Sequence, residues 1–185
     1  MKAQVVYESM FGNTMMVAEA VADGVARQGH VEVIEVGKAG APPQDLDLLV
    51  LGGPTHAFGL SRPSTRQDAN RQASAGVISG RIGLREWIAT LAGAGLCVPV
   101  ATFDTKVIRP KWLPGSAARS AAKQLRRLHI PILVLPESFY VEGTLGPLVE
   151  GELTRARHWG DWIARLVTHG ASTDVTPDPV GARRN

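Results

Sequence analysis

The chain has 185 residues, 44% of them hydrophobic and 20% charged, with a formal net charge of +3. That composition fits one globular domain with a substantial core. Apolar runs stop at about eight residues, far short of the ~20 that cross a bilayer, so no membrane span is expected.

The opening MKAQVVYESM runs into a charged strand without the apolar core of a secretory leader, which makes a cytoplasmic location the expectation. AQVVYE (3–8) is short, β-branched and bounded by a turn, so it reads as a strand. From Asn13 onward, Val17, Val21, Gly24 and Val25 recur at helical spacing, and Gly29 follows where a helix stops. VEVIEV (31–36) alternates as a half-exposed strand does. LDLLVLGG (46–53) is apolar on both faces, as suits a central strand covered on each side.

A long polar region from 54 to about 83 contains TRQDANRQASA, read as helical, and loops of this length act as lids or functional loops. LREWIATLA (84–92) is a helix and LCVPVATF (96–103) a strand, in which Pro99 is out of place away from an edge. Cys97, the single cysteine, excludes an intrachain disulfide and reads as a small buried side chain. GSAARSAAKQLRRLH (115–129) is an amphipathic helix with its arginines opposite an Ala/Leu stripe. IPILVLP (130–136) reads as the fifth strand. A last helix carries Leu153, Ala156, Trp159, Ile163 and Val167 on one side. Trp87, Trp159 and Trp162 read as packing residues, whereas Trp112 is placed to reach over a site. Residues 171–185 have little to bury and read as a disordered tail.

Five strands alternating with helices argue for an α/β domain over residues 1–170, a parallel sheet with helices on both faces. Ligands of such sheets bind beyond the carboxyl ends of the strands. Three loops stand there, at 8–14, 54–58 and 104–109.

In SMFGNT (9–14), Ser9 follows the strand, Gly12 permits close backbone approach, and Asn13 with Thr14 opens the helix. Free N–H groups, the helix dipole and two hydroxyls suit an anion such as phosphate. An ordinary turn capped by Ser9 or Asn13 stays open on these residues alone. Neither G-x-x-x-x-G-K-[ST] nor G-x-G-x-x-G follows the first strand, which sets aside ATP-type and dinucleotide-type loops.

SMFGNT resembles the [ST]-x-[ST]-G-x-T phosphate loop of flavodoxins. GGPTHAFG followed by ATFDTKV resembles their two flavin-ring loops, in the same order along the chain. The resemblance spans about residues 3 to 168. It implies a flavodoxin-like three-layer fold, a five-stranded parallel sheet in order 2-1-3-4-5, and FMN as cofactor. It also implies that Ser9, Met10, Phe11, Gly12, Asn13 and Thr14 wrap the phosphate, that Pro54, Thr55, His56, Ala57 and Phe58 flank the ring, and that Phe103, Asp104 and Thr105 meet its pyrimidine side. Phe58 is favoured as a ring wall, while Phe103 reads better as an inward strand residue. Asp104 reads either as a carboxylate that lowers the flavin potential or as a cap on its turn. His56 is a candidate proton donor, with turn-shaping the preferred role.

Phe11 stands where flavodoxins usually carry a hydroxyl. Loops of the form S-M-[YF]-G occur in the flavodoxin-like NAD(P)H:quinone oxidoreductases, which implies electron or hydride transfer from reduced nicotinamide to a quinone-like acceptor. Arg62, Arg66, Arg71 and Arg81 would then form a positive rim for a nicotinamide phosphate. The alternatives are an electron carrier with redox-protein donor and acceptor, or a degenerate, non-catalytic flavin-binding protein. Carrier flavodoxins are typically acidic and this chain is basic, which tilts against the carrier. A receiver domain lacks its acidic cluster here, and nucleic acid is disfavoured because basic and acidic residues interleave. A metal site is not expected, and homo-oligomerisation stays open.

Overall fold

The computed structural model describes residues 1–73, 76–108 and 115–170. The expected tail at 171–185 and Trp112 lie outside the described residues. In chain order the elements are β1 (Lys2–Tyr7), α1 (Asn13–Val25), β2 (His30–Glu35), β3 (Leu48–Pro54), α2 (Pro63–Gln72), α3 (Leu84–Thr90), β4 (Val100–Val107), α4 (Ala117–Arg127), β5 (Glu137–Val141) and α5 (Glu152–Gly170). All strand pairs are parallel and the sheet runs β2-β1-β3-β4-β5. That is the order the flavodoxin-like fold requires.

Strand pleating divides the interior into two layers, because successive side chains point to opposite faces. Val5, Leu48, Val50, Ala101 and Phe103 pack against α1 and α5, while Val6, Leu49, Leu51 and Val100 pack against α3 and α4. Leu48 to Gly53 are all buried, as expected for a central strand covered on both sides. β2, at the edge, has no fully buried residue.

Two glycines set the spacing of the α1–α5 layer. A Cβ on Gly24 would fall 2.0 Å from the Arg157 carbonyl oxygen, and one on Gly160 would fall 2.1 Å from that of Val21. The two helix backbones therefore touch, and only hydrogen fits at either crossing point.

Four expectations are corrected. The fifth strand is Glu137–Val141, not 130–136; within the earlier segment only Ile132 bridges, to Val100. Pro131 and Pro136 lack the N–H groups that a ladder needs. β4 begins at Val100 and continues to Val107, so Pro99 precedes the strand and Phe103, Asp104 and Thr105 lie in it, not in a loop. Cys97 is exposed, because its neighbours Leu96 and Val98 take the inward positions. On α5, Ala156, Trp159 and Ile163 are buried, but Trp162 is 49% exposed and Leu153 also faces outward.

Candidate functional site

A cavity of about 320 Å³ opens at the carboxyl ends of β1, β3 and β4. Such volumes lie at the low end of small-molecule sites. The structure brings Ser9, Met10, Phe11, Asn13 and Thr14 to one end of it, with Pro54, Thr55, His56, Ala57 and Thr105 along another wall.

The loop between β1 and α1 has the properties of an anion site. Gly12 adopts φ 93°, a left-handed conformation that a side chain would strain, and this turns the chain into α1. Ser9 is fully buried; its Oγ accepts from the N–H of Gly12 at 3.2 Å and of Met15 at 3.4 Å. Its own hydroxyl hydrogen remains available. The N–H groups of Phe11, Asn13 and Thr14 make no hydrogen bond to the described residues. They form the unsatisfied first turn of a helix, where an anion is stabilised. The Thr14 and Thr105 hydroxyls pair at 2.7 Å, which joins this loop to β4. Asn13 is occupied differently, its Nδ2 donating to the Leu145 carbonyl at 3.1 Å.

The second wall is a strained hairpin. His56 and Gly59 exchange both backbone hydrogen bonds at 2.9 Å, closing a two-residue turn at Ala57 and Phe58. These two residues have φ of 39° and 74°. Positive φ at both central positions marks a primed hairpin turn, which normally selects Asn, Asp or Gly. Holding Ala and Phe there costs about 1–2 kcal/mol per residue, a kind of strain that concentrates at functional sites. Desolvation, then the positive charge of Arg66, pushes the His56 pKa below its usual value. His56 is therefore neutral at neutral pH.

Asp104 holds this hairpin from behind. Its Oδ2 accepts from the Ser116 hydroxyl, from the Ala118 N–H at 3.0 Å and from the Thr55 hydroxyl at 3.1 Å. Thr55 Oγ1 in turn accepts from the Ala117 N–H at 2.9 Å. The carboxylate thus caps the N-terminus of α4. Asp104, Gly12, Phe58 and Phe103 do not line the cavity. Phe103 is buried in an edge-to-face cluster with Phe139 at 5.9 Å and Trp159 at 6.1 Å. Phe58 is 56% exposed beside the opening.

A further wall comes from α2, through Thr65, Asp68, Ala69 and Gln72, and the lining is completed by Lys106 and Val107 of β4, Val141 of β5 and Thr144. Sequence reasoning placed a lid in this region but not its lining residues. Pro63 opens the helix at a position that needs no N–H, and Thr65 Oγ1 accepts from the Arg62 N–H at 2.9 Å. Beyond α2 the chain straps onto the anion loop. Ile78 N donates to Met10 O at 3.1 Å, and Ser79 N to Ser9 O at 2.8 Å.

None of the four arginines expected at the rim lines the cavity. Arg66 is 2% exposed, with Nη1 2.8 Å from Ser61 Oγ and 3.2 Å from Glu86 Oε2. Arg71 pairs with Asp68 at 3.3 Å, and neither Arg62 nor Arg81 lines the cavity. A charge at helical spacing shows on which side of α2 it lies, but not whether that side faces a cleft or an acid. Arg66 faces Glu8, a wholly buried carboxylate that accepts from the Leu84 N–H at 2.8 Å. Desolvation raises the Glu8 pKa, against the lowering effects of Ser61, the Leu84 N–H and Arg66.

Among the described residues no helix is long and apolar enough to cross a membrane, and no cluster of His, Cys, Asp or Glu could hold a metal ion.

No protein-family model and no curated protein sequence matches the chain. Solved structures do. A flavodoxin from the domain Archaea is 20% identical with a TM-score of 0.59, covering 91% of this chain and 100% of its own. Oxidised flavodoxin 1 from Bacillus cereus is 16% identical with a TM-score of 0.62, covering 89% of this chain and 98% of its own. A flavodoxin, WrbA-like protein from Agrobacterium tumefaciens is 18% identical with a TM-score of 0.54, covering 91% and 98%. These likenesses establish the flavodoxin-like fold.

Proposed function

We propose that the cavity is an FMN site and that the chain is a flavin-dependent electron-transfer protein. The observation that carries this is the pairing of an unsatisfied anion loop at Ser9 to Thr14 with a strained, mostly uncharged wall at Pro54 to Ala57 in one cavity. The phosphate would be held by the N–H groups of Phe11, Asn13 and Thr14 and the hydroxyls of Ser9 and Thr14. A basic side chain is not needed, because the helix terminus supplies the positive potential. Pro54, Thr55, His56 and Ala57 would border the ring, opposite Thr105 and the α2 side chains. FMN supplies a ring that accepts and releases one or two electrons. The chain's part is to shield that ring from water and fix its orientation.

For the direction of transfer, Phe11 supports the reading in which reduced nicotinamide is the donor and a quinone-like molecule the acceptor. The charges support a second reading. Arg66 is buried against Ser61 and Glu86, and among the described residues no arginine lines the cavity to meet a nicotinamide phosphate. That favours exchange with a protein partner. Anaerobic mixing of the FMN-loaded protein with NADH or NADPH, followed by a quinone, separates the two. Direct reduction supports the oxidoreductase, and a requirement for a separate reductase supports the carrier. Failure of the chain to bind FMN removes both.

A further inference from the structure

The helix α4 presents Arg119, Lys123, Arg126 and Arg127 on its exposed side, and its sequence AARSAAKQLRR contains no acid. Its inner side, through Ala117, Ala121 and Leu125, closes the core beneath. None of the four cations makes an ion pair with the described residues. By contrast, Arg155, Arg157 and Arg165 on α5 are each paired with a carboxylate. Four unpaired cations therefore lie along about 12 Å of one helix, at 1.5 Å per residue from Arg119 to Arg127.

That stripe begins at the candidate cleft. The Ala117 N–H bonds to Thr55, and Gly115 lies so close to the hairpin that a Cβ there would stand 2.3 Å from the Phe58 Cα. Phe58 sits on the strained turn, with its side chain out in solvent, between the cavity wall and the basic stripe. An exposed aromatic next to unpaired cations has the make-up of a small transient interface: an apolar anchor and a charged surround that steers encounter.

We propose that Phe58 and the basic face of α4 form the docking surface for an acidic electron-transfer protein. This rests on the flavin reading above, since docking here would bring the partner to the Thr55–Phe58 wall of the site. The exchange moves one electron from the partner's reduced centre to the bound flavin, and no covalent bond between the proteins is made or broken. Opposite charge accelerates such encounters strongly at low ionic strength and loses its effect as salt rises. The stripe starts at the cleft and carries four cations, which suits a compact acidic protein better than a nucleic acid running along a groove.

The test uses the full chain and a purified acidic [2Fe–2S] ferredoxin as the probe. Its affinity is measured by fluorescence anisotropy, without reduction, for the wild type, for Lys123→Glu and for Lys38→Glu. Lys38 is an exposed cation after β2, at the far edge of the sheet, so the two variants change net charge equally. The expected result is binding that weakens about tenfold or more between roughly 20 and 200 mM salt. Lys123→Glu should weaken it by a similar factor at low salt, and Lys38→Glu should leave it within about twofold. Reduction of FMN-loaded wild type by the reduced ferredoxin should fall in parallel, while reduction by dithionite stays the same in all three proteins. Equal weakening by both variants, or no salt dependence, overturns the proposal. Tighter binding of a 20-base-pair duplex than of the ferredoxin, abolished by Lys123→Glu, also overturns it and reassigns the stripe to nucleic acid. Ferredoxin binding that follows the predicted pattern in a chain unable to bind FMN would retain the surface and overturn only its electron-transfer role; normal FMN binding with unpatterned ferredoxin binding overturns the surface alone.

Discussion

Thr14 and Thr105 touch through their hydroxyl oxygens at 2.7 Å, and this contact joins the start of α1 to β4 across the floor of the cavity. Both residues are nearly fully buried, so the pair has no bulk water to replace it. It couples the end of the site that would hold a phosphate to the end that would hold a ring.

Replacing Thr105 with Val keeps the shape and removes one hydroxyl, leaving Thr14 with an unpaired polar group. A lost hydrogen bond of this kind costs about 1 kcal/mol or more. FMN affinity should fall about fivefold to tenfold, and thermal stability should drop slightly. A flavin-fluorescence titration of Thr105→Val against the wild type reads the first effect, and a melting curve reads the second.

Ala57 is held at φ 39° in the turn between His56 and Gly59. Glycine adopts that conformation without steric cost, so Ala57→Gly should relieve about 1 kcal/mol of native strain. Part of that gain is offset by the larger entropy of an unfolded glycine chain. The expected outcome is equal or greater stability by urea unfolding, with weaker flavin binding because the wall loses its fixed shape.

Gly160→Ala places a methyl group 2.1 Å from the Val21 carbonyl oxygen. Backbone cannot rotate out of the way as a side chain can, so α1 and α5 must separate. Overpacking of this sort costs about 1–3 kcal/mol. The urea midpoint should fall while the cavity, on the other side of α1's N-terminal end, keeps its FMN affinity to within a small factor.

Glu8 gives a pH signature. Its folded pKa is raised above the ordinary carboxylate value, chiefly by desolvation. The stability it contributes is complete below the unfolded pKa and declines as pH rises through the raised folded value. Glu8→Gln removes that decline and keeps an oxygen acceptor for the Leu84 N–H. The stability of the variant relative to wild type should therefore climb from about pH 4.5 upward and then level off. Chemical denaturation of both proteins between pH 4 and 8 checks the sign.

Where local chemistry decides the structure, the residues were informative. The all-apolar run Leu48 to Leu51 marked the central strand, and Ser9, Gly12, Asn13 and Thr14 marked a strand-to-helix turn, which the structure places between β1 and α1 with Gly12 at positive φ. Element ends and side-chain directions were less legible. ILVL between two prolines has the composition of a strand, yet the ladder formed at Glu137–Val141, where Phe139 packs on Phe103 and Trp159. Asp104 was legible as an acid near a strand end, but its direction depends on Ser116 and Ala118, residues that meet it only after α4 docks. Arg66 points into the protein for the same reason: Glu8 and Glu86 reach it from distant parts of the chain.

The measurement that tests the flavin assignment most directly is a paired titration of the purified chain with FMN and with riboflavin, followed by flavin fluorescence and visible absorbance. The expected result is saturable binding of one FMN per chain, with riboflavin at least about tenfold weaker, a gap of about 1.4 kcal/mol that reports the phosphate held by Ser9 to Thr14. No spectral change with FMN, or equal affinity for the two flavins, would contradict it.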